Sequence, residues 1–455
     1  MRLYAGAAML LAALVANTGK AQLCSPLEWR SADPSPPGRW DSGLVEDLGR
    51  STILLFGGAA RPGGYGNALV RRSETWEWRS IDRQWQLRLP AVSPQPRDSQ
   101  SMAYDPATGR VLLFGGANVS NYELADTWEW DGYAGTWTEI VSPLVPPRRQ
   151  GAPMFYCSER DAIVMFGGWV GGQPLNDAWF WDRATRAWSS LTQTNPPPPR
   201  GFTSMVRDPA RGKYLLFGGY SNSSLGDTWE WDAISAEWEQ LYPAHQPPSR
   251  SEFGMAPDPS SPRVLIFGGA GSTVATCQLA DMWAWDGAQS DWIELAAVAT
   301  PPSRIGPAMA VDHVNGSVVV FGGHTNACIG SANEPYGVSD TWEWTASGSA
   351  SGMWSQLPTF PTPRPRYASM AYDMRRARMV LCGGSALDAW TWEWDGTQWH
   401  PFNVPHPNAA TAALVYDGDR CIVLATPAST SAPMPTWGWD GESWNLLATQ
   451  GPVSR

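Results

Sequence analysis

The sequence predicts an all-β fold assembled from eight tandem units. Three observations carry that prediction. A Phe-Gly-Gly triplet returns about every 50 residues, at 56–58, 114–116, 166–168, 217–219, 267–269 and 321–323. A Trp-x-Trp pair and then a third Trp follow each copy. Asp-Gly dipeptides sit between the pair and the third Trp, as in Asp131-Gly132, Asp286-Gly287, Asp395-Gly396 and Asp440-Gly441. Asp-Gly tolerates positive φ and marks a tight hairpin.

The second unit shows the elements in order. Strand a is Ser101 to Asp105, and Asp105-Pro106-Ala107-Thr108-Gly109 is a run of turn formers. Strand b is Arg110 to Phe114, ending at Gly115-Gly116. Strand c is Asp126 to Trp130, strand d is Thr136 to Val141, and a Pro-rich linker follows. The seventh unit keeps Cys382-Gly383-Gly384, and the eighth is worn to Leu424-Ala425-Thr426. Eight Trp triples, from Trp76, Trp78 and Trp85 to Trp437, Trp439 and Trp444, hold 24 of the 28 tryptophans. Trp is thus a repeat-defining core residue.

Four antiparallel strands per unit with this Gly doublet and these aromatics resemble the kelch repeat, in the galactose oxidase/kelch-like superfamily and of a bacterial secreted type. The resemblance spans about Arg39 to Thr449. It implies a single kelch-type β-propeller of eight four-stranded blades over residues 39–450. Packing supports a ring, because an isolated unit cannot bury both faces and a closed array has no exposed end blade. The segment Leu27-Glu28-Trp29-Arg30 reads as a stray outer strand within 22–38 that helps to close the ring.

Residues 1–21 read as a signal peptide: Arg2, an apolar run from Leu3 to Ala16, and Gly19-Lys20-Ala21 at the cleavage site. The expected location is secreted, periplasmic or at the cell envelope. No later segment is long and apolar enough for a membrane span. The net charge of −11 argues against nucleic acid, which needs a basic surface. Export permits disulfides. Cys277 and Cys328 fall in long loops of adjacent units and are the expected pair; Cys382 is expected to be a buried thiol. A monomer is expected.

Chain direction places the b–c loops and the d–a linkers on one face, and the short a–b and c–d turns on the other. The uneven b–c loops mark the first as the binding face. Trp169, Tyr220 and His324 directly follow their Gly doublets there, with Tyr65 and Tyr122 further along their loops. These are candidate contacts for a protein or glycan ligand. Arg97, Arg149, Arg200, Arg250 and Arg304 precede strand a at one register, as does Arg39. In kelch proteins that bind acidic peptides, arginines near this place touch the ligand, which makes these candidates too. The structural reading is stronger: Asp126, Asp177, Asp227, Asp281 and Asp340 open strand c on the same face, so each Arg would pair with an acid of its own unit.

Five histidines without ligand spacing, and no HExxH, give no metal motif. No cofactor and no catalytic residue is assigned. The expectation is a binding or scaffolding module. The alternative is a carbohydrate-active enzyme, a sugar oxidase or sugar-acid mutarotase, which the fold alone does not exclude.

Overall fold

The computed structural model describes residues 35–61, 68–273, 277–325, 336–348, 350–357, 368–383, 391–394, 399–402, 412–417, 422–427 and 436–448. Leu27–Arg30, the signal-peptide residues, Tyr65 and Cys328 lie outside them. The described residues contain strands and turns and no helix.

The chain divides into two compact units, one of them Ser35–Thr359. It holds six antiparallel sheets in strand order a-b-c-d. Blade 1 is Gly43–Asp47, Thr52–Phe56, Thr75–Arg79 and Gln84–Arg88. Blade 2 is Ser101–Asp105, Arg110–Phe114, Thr127–Asp131 and Thr136–Ile140. Blade 3 is Met154–Cys157, Ala162–Val170, Gln173–Asp182 and Ala187–Leu191. Blade 4 is Ser204–Arg207, Tyr214–Tyr220, Ser224–Asp232 and Glu237–Leu241. Blade 5 is Gly254–Pro257, Arg263–Phe267, Met282–Asp286 and Asp291–Glu294. Blade 6 is Ala308–Asp312, Ser317–Phe321, Thr341–Gly348 and Ser351–Leu357, with Ala296–Val298 added in parallel outside it.

Strand a of each blade touches strand a of the next, and blade 6 touches blade 1. The ring therefore closes at six blades, not the eight that the repeat count gave. The core shows the same closure: Val319 and Phe321 of blade 6 pack with Leu55, Trp76 and Trp78 of blade 1.

The third Trp of a blade bolts it to its neighbour. Its indole N–H donates to the Thr that opens strand c of the preceding blade: Trp137 to Thr75 (2.9 Å), Trp188 to Thr127 (3.0 Å) and Trp292 to Thr228 (3.0 Å). Trp85 of blade 1 donates to Thr341 of blade 6 at 3.0 Å, so the seam of the ring carries the same bolt. The exceptions follow from the sequence. Ala178 replaces the Thr facing Trp238, and Gln193 Oε1 accepts instead at 2.7 Å. Met282 replaces the Thr facing Trp354, and that indole nitrogen is buried without a partner among the described residues.

The middle Trp uses a different acceptor. Trp78 donates to Asp312, and Trp285 to Asp208, both at the end of the preceding blade's strand a. In blade 3 that position is Cys157, which offers no carboxylate, and the facing Trp231 nitrogen has no partner among the described residues.

The other unit contains two four-stranded sheets. One is Ala368–Asp373, Arg378–Gly383, Thr391–Trp394 and Trp399–Phe402; the other is Ala412–Asp417, Ile422–Pro427, Thr436–Trp439 and Trp444–Ala448. The third Trp repeats the bolt, with Trp444 donating to Thr391 at 2.7 Å, while the middle Trp439 donates to Glu393 of strand c at 2.6 Å. The described strands thus fall into a six-blade ring and a unit of two sheets. Cys382 is buried between these two sheets.

Candidate binding face at the channel mouth

The repeated arginines are placed first, because they fix the linkers of the binding face. Arg97, Arg149, Arg200, Arg250 and Arg304 are 0–1% exposed. Each guanidinium makes a two-pronged bond to the Asp that opens strand c of its own blade, for example Arg97 to Asp126 at 2.7 and 2.6 Å. It also donates to the carbonyl of the first Gly of the doublet, as Arg149 does to Gly167 at 2.8 Å. Its Nε donates to the carbonyl two residues back, as Arg200 does to Pro198 at 3.1 Å. This is the geometry of a tie between strands a and c. Burial would raise the facing carboxyls, but the bonds and charge of the paired arginine outweigh it, so Asp126, Asp177 and Asp227 are held below the ordinary range. The same carboxyl also accepts the first indole N–H of its blade, as Asp227 does from Trp229 at 2.6 Å. Blade 1 departs from the pattern. Arg39 meets Glu74 in a single bond of 3.4 Å, and burial, only partly offset by Glu74, lowers its pKa to about 10.

Two residues beyond each Arg lies a feature that the sequence reading missed. Asp41, Ser99, Gly151, Phe202, Glu252 and Gly306, one per blade, all adopt positive φ between 51° and 63°. Their backbones form a closed hydrogen-bonded annulus. Ser99 N–H donates to Asp41 O (2.8 Å), Gly151 to Ser99 (2.8 Å) and Phe202 to Gly151 (2.7 Å). Glu252 donates to Phe202 (3.0 Å), Gly306 to Glu252 (2.9 Å), and Asp41 to Gly306 (3.1 Å). Gly151 and Gly306 suit this left-handed conformation, whereas Asp, Ser, Phe and Glu each carry a cost of about 1–2 kcal/mol. Strain held by the surrounding structure is a pointer to function. The signal available in the sequence was the Gly at Arg+2 in two units, with Asp, Ser, Phe and Glu in the others.

The annulus rims one end of an axial channel. A cavity of about 220 Å³ opens there, walled by all six blades, with Asp41, Gln100, Phe202 and Glu252 among its lining. Deeper in, Met102, Met154, Met205, Met255 and Met309 take one strand-a position in five blades and narrow the channel, with Leu44 in the sixth.

The rim is divided by chemistry. On blades 3 and 4, Trp169 stands 5.5 Å from Tyr220 and 6.3 Å from Phe202, ring centre to ring centre, and all three rings are partly exposed. Paired backbone bonds fix both expected residues: Trp169 with Gln150, and Tyr220 with Gly201. Gly201 suits this close approach, because a Cβ would lie 3.0 Å from the Gly168 carbonyl carbon. His324 is on the other side of the ring. It is 9% exposed and packs edge-on against Trp40 at 5.0 Å. Burial, with the nearby Arg61 charge, lowers its pKa to about 4 and keeps it neutral near pH 7. Tyr122 is 63% exposed on the blade 2 loop, apart from the aromatic group.

Following Phe202 around the annulus lie two carboxyls, Glu252 and Asp41, on either side of Gly306. A Cβ on Gly306 would fall 2.3 Å from Asp41 Oδ1, so the carboxyl leans over that glycine. Burial first, then the charges of Glu252 and Asp98, push Asp41 well above the usual carboxylate range. Burial and the Asp98 charge raise Glu252 to about 7. Asp98 itself is paired with Arg71 at 2.7 Å.

Among the described residues, no group of three or more His, Cys, Asp or Glu is placed to hold a metal ion. Cys277 is not a free thiol, but its expected partner lies outside the described residues.

Residues 44–269 match the KLHDC2/KLHL20/DRC7 Kelch-repeats domain family. The chain is 32% identical over 213 residues to an Adagio-like protein 1 of Oryza sativa subsp. japonica, covering 42% of this chain and 32% of that protein. It is 30% identical over 171 residues to an F-box/kelch-repeat protein of Arabidopsis thaliana, covering 35% and 34% of the two chains. A dynein regulatory complex subunit 7 of Chlamydomonas reinhardtii is 29% identical over 129 residues, 27% of this chain and 10% of that one. The chain spans about a third of the length of the first two. These relatives are plant and algal proteins and lend no support to the bacterial secreted type. With the closed ring of four-stranded blades, residues 44–269 are similar to the kelch repeats of this family, and the first six repeats form a kelch-type β-propeller.

Proposed function

We propose that this protein is a binding module that takes a protein ligand on its loop-bearing face, anchored by Trp169, Phe202 and Tyr220. The observation that carries the reading is the meeting of these three rings from adjacent blades at the channel rim. Rigid, partly exposed aromatics on a fixed scaffold are the usual energetic centre of a protein interface. A structural role is proposed for the arginines, since four of the five N–H donors of each are held within its own blade.

Peptide display against the full chain, run beside a broad glycan array, tests this. Selected peptides should lose at least tenfold in affinity for a Trp169→Ala/Tyr220→Ala variant. Peptides indifferent to those changes would sink the anchor. Binding restricted to glycans would replace the protein ligand by a carbohydrate.

The two carboxyls at the rim favour one second reading, a carbohydrate-active enzyme, because general acid–base work needs a carboxyl poised near neutral pH. Conversion of a sugar acid or an aldose by the wild type and not by Glu252→Gln, followed by NMR, would establish it. Export through residues 1–21 is likewise proposed from the sequence, as is the Cys277–Cys328 bond. N-terminal sequencing and non-reducing peptide mapping of secreted material test the two.

A further inference from the structure

We propose that the acidic side of the channel mouth is a subsite for an organic cation, the guanidinium or ammonium tip of an Arg or Lys side chain on the protein ligand. It rests on the protein-binding reading and adds which ligand chemistry the face selects.

The residues present acceptors and no cation of their own to this end of the cavity. Asp41 and Glu252 reach the rim from blades 1 and 5, flanking Gly306, whose missing side chain leaves the space above it to Asp41. Gln100, in the same cavity wall, is 8% exposed. Its Nε2 is spent on the Phe56 carbonyl at 2.8 Å, which leaves Oε1 buried with no partner. Ser42 Oγ, beside Asp41 on the same wall, is also buried and unpartnered. Buried acceptors without donors are costly, and a donor-only group of opposite charge is what satisfies them. A guanidinium offers five N–H donors and an ammonium three, and neither accepts.

The surroundings select an organic cation over a bare ion. Phe202 is the neighbour of Glu252 in the annulus, and Trp169 and Tyr220 continue from it. An Arg or Lys stem lies naturally along such rings while its charged head reaches the carboxyls. The annulus could hold Gly at every position, as it does at 151 and 306. Asp and Glu stand there in a left-handed conformation that disfavours them.

Proton linkage gives the subsite a signature. The charged groups acting on the pair are Asp98, which raises both pKa values, and Arg71, which opposes it at Asp41. A bound cation requires ionised carboxyls. The ionised fraction of Glu252, with a pKa of about 7, grows about 30-fold between pH 5.5 and 8.5.

Calorimetry on the full chain, with n-butylguanidinium, its neutral isostere n-butylurea, spermidine, and an acetylated Gly-Arg-Phe-Gly amide, tests the proposal. The guanidinium should bind at least tenfold tighter than the urea, with affinity rising about 30-fold over that pH range. Asp41→Asn and Glu252→Gln should each remove most of the difference, while unfolding of Glu252→Gln at pH 5, where the wild-type Glu252 carboxyl is protonated, stays as in wild type. The Arg peptide should bind tighter than n-butylguanidinium, and Trp169→Ala/Tyr220→Ala should remove only that increment. Spermidine held more tightly than the peptide would keep the cation subsite and overturn the protein ligand. Equal binding of guanidinium and urea, a flat pH profile, or wild-type affinity in Glu252→Gln would overturn the subsite, whatever peptides the face selects.

Discussion

A single arginine shows how little of a repeated charge is free for a ligand. Arg200 is wholly buried, and its guanidinium is shared between Asp227, the Gly218 carbonyl and the Pro198 carbonyl. Arg200→Ala should therefore cost about 3–5 kcal/mol, the range for breaking a buried pair, read as a lower midpoint in chemical unfolding. Arg39→Ala should cost less, since Arg39 has only one long bond to a half-exposed Glu74. Titration of the rim carboxyls gives a second test at this scale. The pKa of Glu252 is raised from 4.5 to about 7 on folding, so its contribution to stability is present below about pH 4.5 and is lost as pH rises to about 7. His324 has the opposite sign: lowered from 6.5 to about 4, it takes stability away as pH falls through that window. Glu252→Gln should flatten the loss of thermal stability between pH 4.5 and 7 and leave the acid limb set by His324. The sequence revealed the Arg–Asp pairing, because both partners repeat in register. It did not reveal Asp41 and Glu252, because their importance comes from backbone closure between residues far apart in the chain.

At the scale of the strand and blade, the Trp-to-Thr bolt is the unit of cohesion. Thr228→Val keeps the shape and removes the acceptor of Trp292, leaving a buried indole N–H unpaired. The expected loss is about 1–3 kcal/mol. Gln193→Leu should give a similar loss by the same route, through Trp238, although Gln193 is not part of the repeat. Removing the hydroxyl from a residue that bolts nothing serves as the control. The strands themselves were legible almost to the residue. The second unit was read as 101–105, 110–114, 126–130 and 136–141; the structure has Ser101–Asp105, Arg110–Phe114, Thr127–Asp131 and Thr136–Ile140. Alternating buried aromatics and turn chemistry act within a few residues, so they are visible locally. Compensation by Gln193 is not, since its partner is 45 residues away.

Over the whole molecule, the repeat count and the ring size came apart. Eight copies of the motif exist, and the ring closes with six. Counting motifs measures how often the unit was copied, whereas closure depends on the wedge angle between blades and on whether blade 1 can meet blade 6. The bond from Trp85 to Thr341 and the bond from Asp41 to Gly306 are the decisive contacts, and both link distant parts of the chain. Residues 35–359 expressed alone should unfold in one cooperative transition, followed by near-ultraviolet circular dichroism. Ending that fragment at residue 295 should abolish the transition, because it opens the ring and exposes the cores on either side of the gap.

The annulus has a topological implication for the chain that threads it. Six residues each donate to the one before and accept from the next, and the bond between Asp41 and Gly306 resembles the other five. Nothing in this loop marks where the polypeptide starts. The order of blades along the gene is then a matter of history, and the ring should tolerate relocation of its ends. A circular permutant of 35–359, its old ends joined by a flexible linker and its new ones cut into the exposed turn after Asp208, would assemble the same propeller with the last three strands of blade 4 translated first.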